Sequence, residues 1–130
     1  VVSPAIRAEV VRYCVDVGVF VSPGVCTPSE VEQALDLGVK VVKFFPADAY
    51  GGVRTLKALG AVYPQVPFIP TGGVSADNLH EYLALKNVLA AGGSWLAGPE
   101  LLGAGRFDEV EQRARQALAI ARAATGERAR

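Results

Sequence analysis

The stretch VKVVKFFPADAYGG, residues 39–52, decides how the rest of this chain is interpreted. Its first half is dominated by β-branched and aromatic residues, as in a strand, and Pro46 and a glycine pair end it. Because side chains of a strand alternate between two faces, Lys43 is predicted to share a face with Val41 and Phe45. A lysine buried there must be paired, neutral or used in chemistry. From this stretch alone, a salt-bridged or snorkelling lysine and a chemically used one are equally good interpretations.

Composition excludes several classes of protein. The chain has 130 residues, with 13 Lys and Arg against 13 Asp and Glu, so its net charge of zero argues against nucleic-acid and membrane-surface partners. A hydrophobic content of 51% without an apolar run near the ~18 residues of a membrane span indicates a globular, cytoplasmic protein. Cys14 and Cys26 are too few for a disulfide framework and are expected to be free thiols, with Cys14 buried in the core and Cys26 packed in a loop. With one histidine and no Cys-x-x-Cys motif, we expect no metal.

A strand–helix pattern repeats five times along the chain. The predicted strands are residues 1–4, 19–21, 39–45, 68–71 and 88–91, and each precedes a segment with apolar residues at helical spacing. Thr27-Pro28-Ser29-Glu30 predicts a capping box at the start of the second helix. A later helix is predicted to begin at Ser75, and the last one, residues 107–123, is predicted to face inward with Phe107. Short strands that are apolar on both faces are typical of a parallel sheet covered by helices. Five units could form an open doubly wound sheet or the last five units of a (β/α)8 TIM barrel.

The first residues favour the barrel over the open sheet. Val1-Val2-Ser3-Pro4 has the composition of a strand end, and the chain contains no methionine, so we expect an excerpt of a longer polypeptide. Residues 1–124 are predicted to form the C-terminal five βα units of a single TIM-barrel domain. Residues 125–130 are predicted to be a frayed C-terminal tail.

Two glycine pairs follow consecutive predicted strands, in Thr71-Gly72-Gly73 and in Gly92-Gly93-Ser94. Glycine lets the backbone approach a ligand closely, and the N–H groups that follow can point at an anion. The loops after the last two strands of a (β/α)8 barrel frequently build a phosphate site. A phosphate site is therefore favoured here, with plain tight turns as the alternative.

Under the same strand count, Lys43 lies near the catalytic end of a barrel strand. Burial disfavours the charged ammonium, and the neutral amine is the form that attacks a ketone to give a Schiff base. The resulting iminium can accept electrons during carbon–carbon cleavage without a metal. Lys43 is therefore a candidate nucleophile.

Three motifs together resemble one known family. Lys43-Phe44-Phe45-Pro46-Ala47 followed by a glycine pair, then Pro70-Thr71-Gly72-Gly73-Val74, then Gly92-Gly93-Ser94-Trp95, are similar to motifs of the 2-keto-3-deoxy-6-phosphogluconate (KDPG) aldolases. This family also includes the 4-hydroxy-2-oxoglutarate (KHG) aldolases. The resemblance runs from Val1 to the last predicted helix.

The resemblance implies a homotrimeric (β/α)8 class I aldolase that needs no cofactor. Such an enzyme cleaves KDPG, a phosphorylated keto acid, to pyruvate and glyceraldehyde 3-phosphate, the closing step of the Entner–Doudoroff route. Lys43 falls on the family's Schiff-base lysine, Pro4 and Phe45 match residues that line the pyruvate pocket, and Thr71 matches a hydroxyl that contacts substrate. The residues that match the phosphate site are Gly72, Gly73, Gly93 and Ser94.

The chain also departs from the family pattern. The family's general acid/base glutamate and its carboxylate-binding arginine have no counterpart here, and we expect them to precede Val1. Asp48 is near Lys43 in sequence but follows Pro46, so a loop role is favoured over proton transfer. Two alternatives stay open: a phosphate-binding TIM-barrel isomerase or synthase without a Schiff base, and a non-catalytic barrel remnant. The substrate epimer and the preference between KDPG and KHG are also open.

Overall fold

The computed structural model describes residues 1–126, which form six helices and three short strands. In chain order the elements are α1 Ala8–Asp16, β1 Gly24–Val25, α2 Pro28–Asp36, β2 Val42–Phe44, α3 Gly52–Val62, β3 Phe68–Pro70, α4 Leu79–Leu83, α5 Pro99–Gly103 and α6 Phe107–Thr125. Among these residues, no helix is both long enough and apolar enough to cross a membrane.

The three strands form one parallel sheet in the order β1-β2-β3. Gly24 pairs with Lys43, and Lys43 pairs with Ile69, so these three residues form one row across the sheet. Paired residues of neighbouring strands point to the same face. Lys43 therefore lies at the middle of the sheet, with a glycine on one side and an isoleucine on the other.

The predicted five βα units of a (β/α)8 barrel are wrong for the described residues. The first and fifth predicted strands are reduced to single bridge pairs, Val2 with Ser22 and Val88 with Phe68. After the bonds that Phe68 makes to residues 87 and 89, the next ladder bond would need an N–H from Pro70, which proline lacks. Since a strand needs successive ladder bonds, the fold is an α/β arrangement with a three-stranded parallel sheet.

The start signal of α2 is confirmed in detail. Thr27 is the N-cap, its hydroxyl accepts a hydrogen bond from the Glu30 N–H, and the Glu30 carboxylate accepts one from the Thr27 N–H. Pro28 occupies the first turn, where its missing N–H costs nothing. This capping box anchors the helix that follows β1.

Other helix predictions need correction. The helix predicted from Ser75 begins only at Leu79, because Asn78 lies at the N-cap. The sequence reasoning missed α5 altogether. Phe107 was predicted to face inward from α6 but is 65% exposed. Of the predicted tail, Thr125 is the last residue of α6, and residues 127–130 lie outside the described residues.

The core lies on the face of β2 opposite Lys43. Val42 and Phe44 are 1% and 0% exposed, and they belong to one apolar cluster with buried residues of the helices and of β3. That cluster includes Cys14, Val31, Ala34, Leu56, Phe68 and Tyr82. The predicted burial of Cys14 is thus confirmed, and the helices pack on one face of the sheet while Lys43 occupies the other.

Candidate active site

Lys43 is half-buried, in contrast to the full burial predicted from strand parity. Its Nζ lies 4.2 Å from the centroid of the Phe45 ring, which is a cation–π distance. The ion pairs of residues 1–126 join arginines and glutamates of the α6 region and do not include Lys43. The amine rests on an aromatic face at the carboxyl end of the middle strand, where a small molecule can reach it.

The ring of Phe45 connects the lysine to the glycine loop after β3. A Cβ at Gly72 would lie 3.2 Å from two atoms of this ring and 3.1 Å from the Cα of Pro46. Gly72 also has a φ of 88°, a left-handed conformation that other residues adopt at a cost. Glycine is therefore required at this position for two independent reasons, and the loop is held against the aromatic ring beneath the amine.

The carbonyl groups of this loop are all occupied. The Thr71 and Gly72 carbonyls accept hydrogen bonds of 2.8 and 3.0 Å from the backbone N–H groups of Ala47 and Asp48. The Gly73 carbonyl accepts one of 2.9 Å from Asn78 Nδ2. Within the described part of the chain, the N–H groups of residues 72–74 have no acceptor. Successive free N–H groups of this kind form an anion-binding concavity.

The second glycine loop lies beside the first. Thr71 forms a parallel bridge with Gly92, and a Cβ at Gly93 would lie 2.7 Å from the carbonyl oxygen of Val74 and would overlap the Trp95 ring. Ser94 follows and is exposed. The two predicted glycine pairs are therefore neighbours in space, as a single anion site requires.

Thr71 carries a buried hydroxyl oxygen that has no hydrogen-bond partner among residues 1–126. Thr71 is level with Phe45, because Phe44 pairs with Pro70 in the register of β2 and β3. An orphaned buried hydroxyl costs free energy unless a ligand or water satisfies it. Thr71 lies two residues beyond the row of Lys43 and Ile69, on the same face of the sheet, so its hydroxyl is available to a ligand bound at the amine.

Pro4 packs over the same face of the sheet. A Cβ at Gly24, the register partner of Lys43, would overlap the carbonyl group of Pro4. The structure thus brings Pro4, Lys43, Phe45, Thr71 and Gly72 to one end of one sheet face. Gly73, Gly93 and Ser94 follow at its rim.

Three residues near this site were missed by the sequence reasoning. Gly24 permits the approach of Pro4, and a glycine after Ser22-Pro23 at a strand start was an available signal. Asn78 ties down the first glycine loop, and its position before an apolar helical segment could have indicated a cap. Ser22 is 1% exposed with an unpartnered hydroxyl in the described chain, and no sequence signal predicts it.

Cys26 lies just beyond β1 and is not poised for nucleophilic attack. Its Sγ donates a hydrogen bond of 3.3 Å to Glu30 Oε2. Burial raises the pKa of the Cys26 thiol, and the Glu30 carboxylate raises that pKa further, against a smaller opposing effect of Tyr50. The thiol therefore stays protonated at neutral pH, in agreement with the expected packing role.

A cavity lies away from Lys43. A groove of about 740 Å³ runs between α4, α6 and residues 85–96, and its lining is mainly leucine and alanine. None of the candidate residues lines it, and the two unpartnered buried hydroxyls of the described residues, those of Ser22 and Thr71, lie outside it. Because the amine and the unpartnered Thr71 hydroxyl lie on the Lys43 face and not in this groove, the Lys43 face is the candidate active site.

Among the described residues, no group of three or more His, Cys, Asp or Glu side chains is arranged to hold a metal ion.

The site thus combines a lysine amine on an aromatic face with a candidate anion cradle at the carboxyl end of a parallel sheet. The family model described as "Aldolase: KDPG and KHG aldolase" matches residues 1–113. This chain belongs to the KDPG and KHG aldolase family.

Individual relatives agree with the family match. The 2-dehydro-3-deoxy-phosphogluconate aldolase of Treponema pallidum is 44% identical over 120 residues, which are 92% of this chain and 57% of that protein. A solved KDPG aldolase from Legionella pneumophila, with pyruvate captured as a covalent carbinolamine intermediate, is 36% identical. It superimposes with a TM-score of 0.83 over 92% of this chain and 56% of its own.

A third relative was solved with a phosphorylated compound. The KDPG aldolase of Zymomonas mobilis ZM4 with 3-phosphoglycerate is 36% identical and has a TM-score of 0.82. The match covers 95% of this chain and 57% of that one. The chain thus spans little more than half the length of the relatives it matches.

Proposed function

We propose that this chain carries the Schiff-base lysine and the phosphate-binding loops of a cytoplasmic class I aldolase. The reaction is cleavage of KDPG to pyruvate and glyceraldehyde 3-phosphate, with KHG as a possible second substrate. The observation that carries the proposal is the contact chain from Lys43 Nζ across the Phe45 ring to Gly72. Both the amine and the glycine loop with its free backbone N–H groups lie against this one aromatic ring.

In this proposal Lys43 attacks the C2 carbonyl of the substrate. Nζ forms a bond to C2, and the carbinolamine loses water to give an iminium. When the C4 hydroxyl loses its proton, the C3–C4 electron pair moves into the iminium, and glyceraldehyde 3-phosphate leaves. The remaining enamine is protonated at C3, and water then releases pyruvate and the free amine. The proton transfers are assigned to no residue of this chain.

The remaining candidates take the roles that their positions suit. Pro4 and Phe45 would enclose the pyruvate portion beside the amine, and the orphaned Thr71 hydroxyl would hydrogen-bond the substrate. The phosphate would accept hydrogen bonds from the backbone of Gly72, Gly73, Gly93 and Ser94. Support from relatives comes from the covalent pyruvate adduct of the Legionella enzyme and the 3-phosphoglycerate complex of the Zymomonas enzyme.

Borohydride trapping tests the role of Lys43. Incubation of the full-length protein with pyruvate and borohydride should add one reduced pyruvate adduct, found on Lys43 by peptide mass spectrometry. Lys43→Ala should abolish the adduct, because it removes the nucleophile, while phosphate binding is retained. Lys40→Ala is the matched control, since Lys40 is exposed and lies three residues earlier, and its trapping should be unchanged.

A wild-type protein that binds phosphorylated sugar acids but gives no adduct would refute the aldolase. That result would favour the isomerase or synthase alternative, with Lys43 serving as a counter-ion. The homotrimer implied by the family resemblance belongs to the same proposal. Light scattering of the full-length protein should give three times the mass of one chain, and a monomeric mass would contradict it.

A further inference from the structure

Asn78 makes two hydrogen bonds to the loop that follows β3. Its Oδ1 accepts a bond of 2.9 Å from the Ser75 N–H, and its Nδ2 donates one of 2.9 Å to the Gly73 carbonyl. The Asn78 side-chain amide thus bridges the backbone of residues 73 and 75. The free N–H groups of Gly72 and Gly73, which are proposed to bind phosphate, directly precede the first attachment point, and the free N–H of Val74 lies between the two.

The loop needs such a tether because its backbone is intrinsically flexible. Gly72 and Gly73 have φ values of 88° and 81°, and glycine loses more conformational freedom on ordering than any other residue. A binding loop that must be ordered by its ligand binds more weakly, since ordering consumes part of the interaction free energy. A loop ordered in advance avoids that cost.

The three carbonyl bonds of the loop differ in kind. The Thr71 and Gly72 carbonyls accept hydrogen bonds from the backbone N–H groups of residues 47 and 48. Any residue except proline at those two positions would supply the same donors. The bond of Gly73 comes from a side chain. Within residues 1–126, Asn78 is the only side chain that hydrogen-bonds to residues 71–75. Side-chain identity therefore controls the loop at this one point.

We infer that Asn78 is a positioning residue for phosphate recognition: it presets the N–H groups of residues 72–74 and so sets affinity for the phosphate of the substrate. It acts through the loop and touches neither the amine nor the carbonyl carbon. The inference rests on the proposed phosphate site. It predicts an effect confined to phosphorylated ligands.

The test compares three variants of the full-length protein. Asn78→Ala removes both hydrogen bonds, and Asn78→Asp keeps the acceptor for Ser75 but removes the donor to Gly73. Asn87→Ala is the matched control, because Asn87 Nδ2 also donates one bond of 3.0 Å to a backbone carbonyl, that of Leu56 in α3. Each variant is assayed for inorganic phosphate affinity, for kinetics with KDPG and with unphosphorylated KHG, and for pyruvate trapping.

Both Asn78 variants should raise the phosphate Kd and the KM for KDPG about tenfold, equivalent to about 1.4 kcal/mol. Their kcat/KM for KHG and their pyruvate adducts should stay within twofold of wild type. Asn87→Ala should lower the melting temperature without changing phosphate affinity. If Asn78→Ala does not fold, Asn78→Asp decides, because it retains the hydrogen bond from the Ser75 N–H and loses only the one to the Gly73 carbonyl.

Unchanged phosphate affinity in the Asn78 variants would overturn the inference, and so would an equal loss with KDPG and KHG, which marks a merely structural role. A wild-type protein without phosphate affinity would refute the phosphate site and the inference together. A wild-type protein that binds phosphate but traps no pyruvate would refute the Schiff-base chemistry alone. In that case the phosphate comparison still decides the role of Asn78.

Discussion

Glu30 shows how one side chain secures the turn next to the site. Its Oε2 accepts hydrogen bonds from the Cys26 N–H at 2.8 Å, the Thr27 N–H at 2.9 Å and the Thr27 hydroxyl at 2.9 Å. Because Cys26 directly follows β1, this carboxylate holds the end of the strand against the start of α2. Capping interactions of this kind stabilise a protein by about 1 kcal/mol.

Replacement of Glu30 by alanine should lower the free energy of unfolding by about 1 kcal/mol, since two backbone N–H groups lose their acceptor. Urea denaturation measures it. Glu9→Ala is the control: Glu9 also lies in the first turn of a helix but is exposed. An equal loss in the two variants would show that the capping contacts contribute nothing beyond helix-terminus electrostatics.

The same carboxylate should make stability depend on pH. Burial tends to raise the pKa of Glu30, but hydrogen bonds from Cys26 and Thr27 outweigh it and lower that pKa below the ordinary 4.5. A group whose folded pKa is depressed stabilises the fold above its unfolded pKa, and the contribution is lost as the pH falls through the folded value. Wild type should therefore lose its advantage over Glu30→Gln as the pH drops below 4.5. Urea denaturation of both proteins between about pH 3 and pH 7 measures the difference in their unfolding free energies. A difference that stays constant over this range would contradict the prediction.

At the scale of elements, the contact between the two loops after β2 and β3 constrains the backbone. A Cβ at Gly73 would overlap the Cβ of Asp48, and Gly73 has a φ of 81°. Gly18 has a similar φ of 71°, but nothing lies within 4 Å of the position its Cβ would take. A comparison of alanine variants at Gly18 and Gly73 therefore distinguishes the cost of a left-handed backbone from the cost of a steric clash.

Gly18→Ala should cost about 1 kcal/mol of unfolding free energy, the ordinary penalty for a left-handed residue. Gly73→Ala should cost about 3 kcal/mol, because one of the two loops must also move. Chemical denaturation of the two variants provides the comparison. Equal costs would mean that the loops separate freely and that their packing does not hold the candidate site.

At the scale of the whole molecule, stability depends on the face of β2 that Lys43 does not occupy. Phe44 is 0% exposed and lies within the apolar cluster formed with the helices. Phe44→Ala should therefore lower the free energy of unfolding by about 4 kcal/mol. Phe107→Ala removes the same atoms from a side chain that is 65% exposed and should cost less than about 1 kcal/mol. Similar costs in thermal or urea unfolding would show that the core lies elsewhere.

The candidate site was predictable where it depended on local chemistry. The alternation of residues 39–45 placed Lys43 and Phe45 on one face, and the register of β2 agrees with that placement. The prediction that Lys43 is buried was too strong, since its side chain is half-buried. The alternation of side chains along a strand specifies the face on which a residue lies but not what covers that face. Roles for the individual site residues stay predictions until trapping and binding are measured.

The architecture was harder to predict than the motifs. Apolar segments near Val2 and Val88 have strand composition, but each makes only one bridge. Pairing depends on which backbone groups are available, and Pro70 has no N–H to continue the ladder with the segment near Val88. The count of five barrel units therefore failed while the family resemblance, carried by short motifs, was confirmed.

The sequence by itself determined the strand that bears Lys43, the capping box of α2 and the glycine pairs, because each depends on residues within a few positions of one another. Only the tertiary structure decided that the lysine amine and Gly72 both lie against the Phe45 ring, and that Asn78 ties down the first glycine loop. Those contacts depend on the register of separate strands and on the path of the loops between them. No local pattern specifies either, because both arise from packing between distant segments.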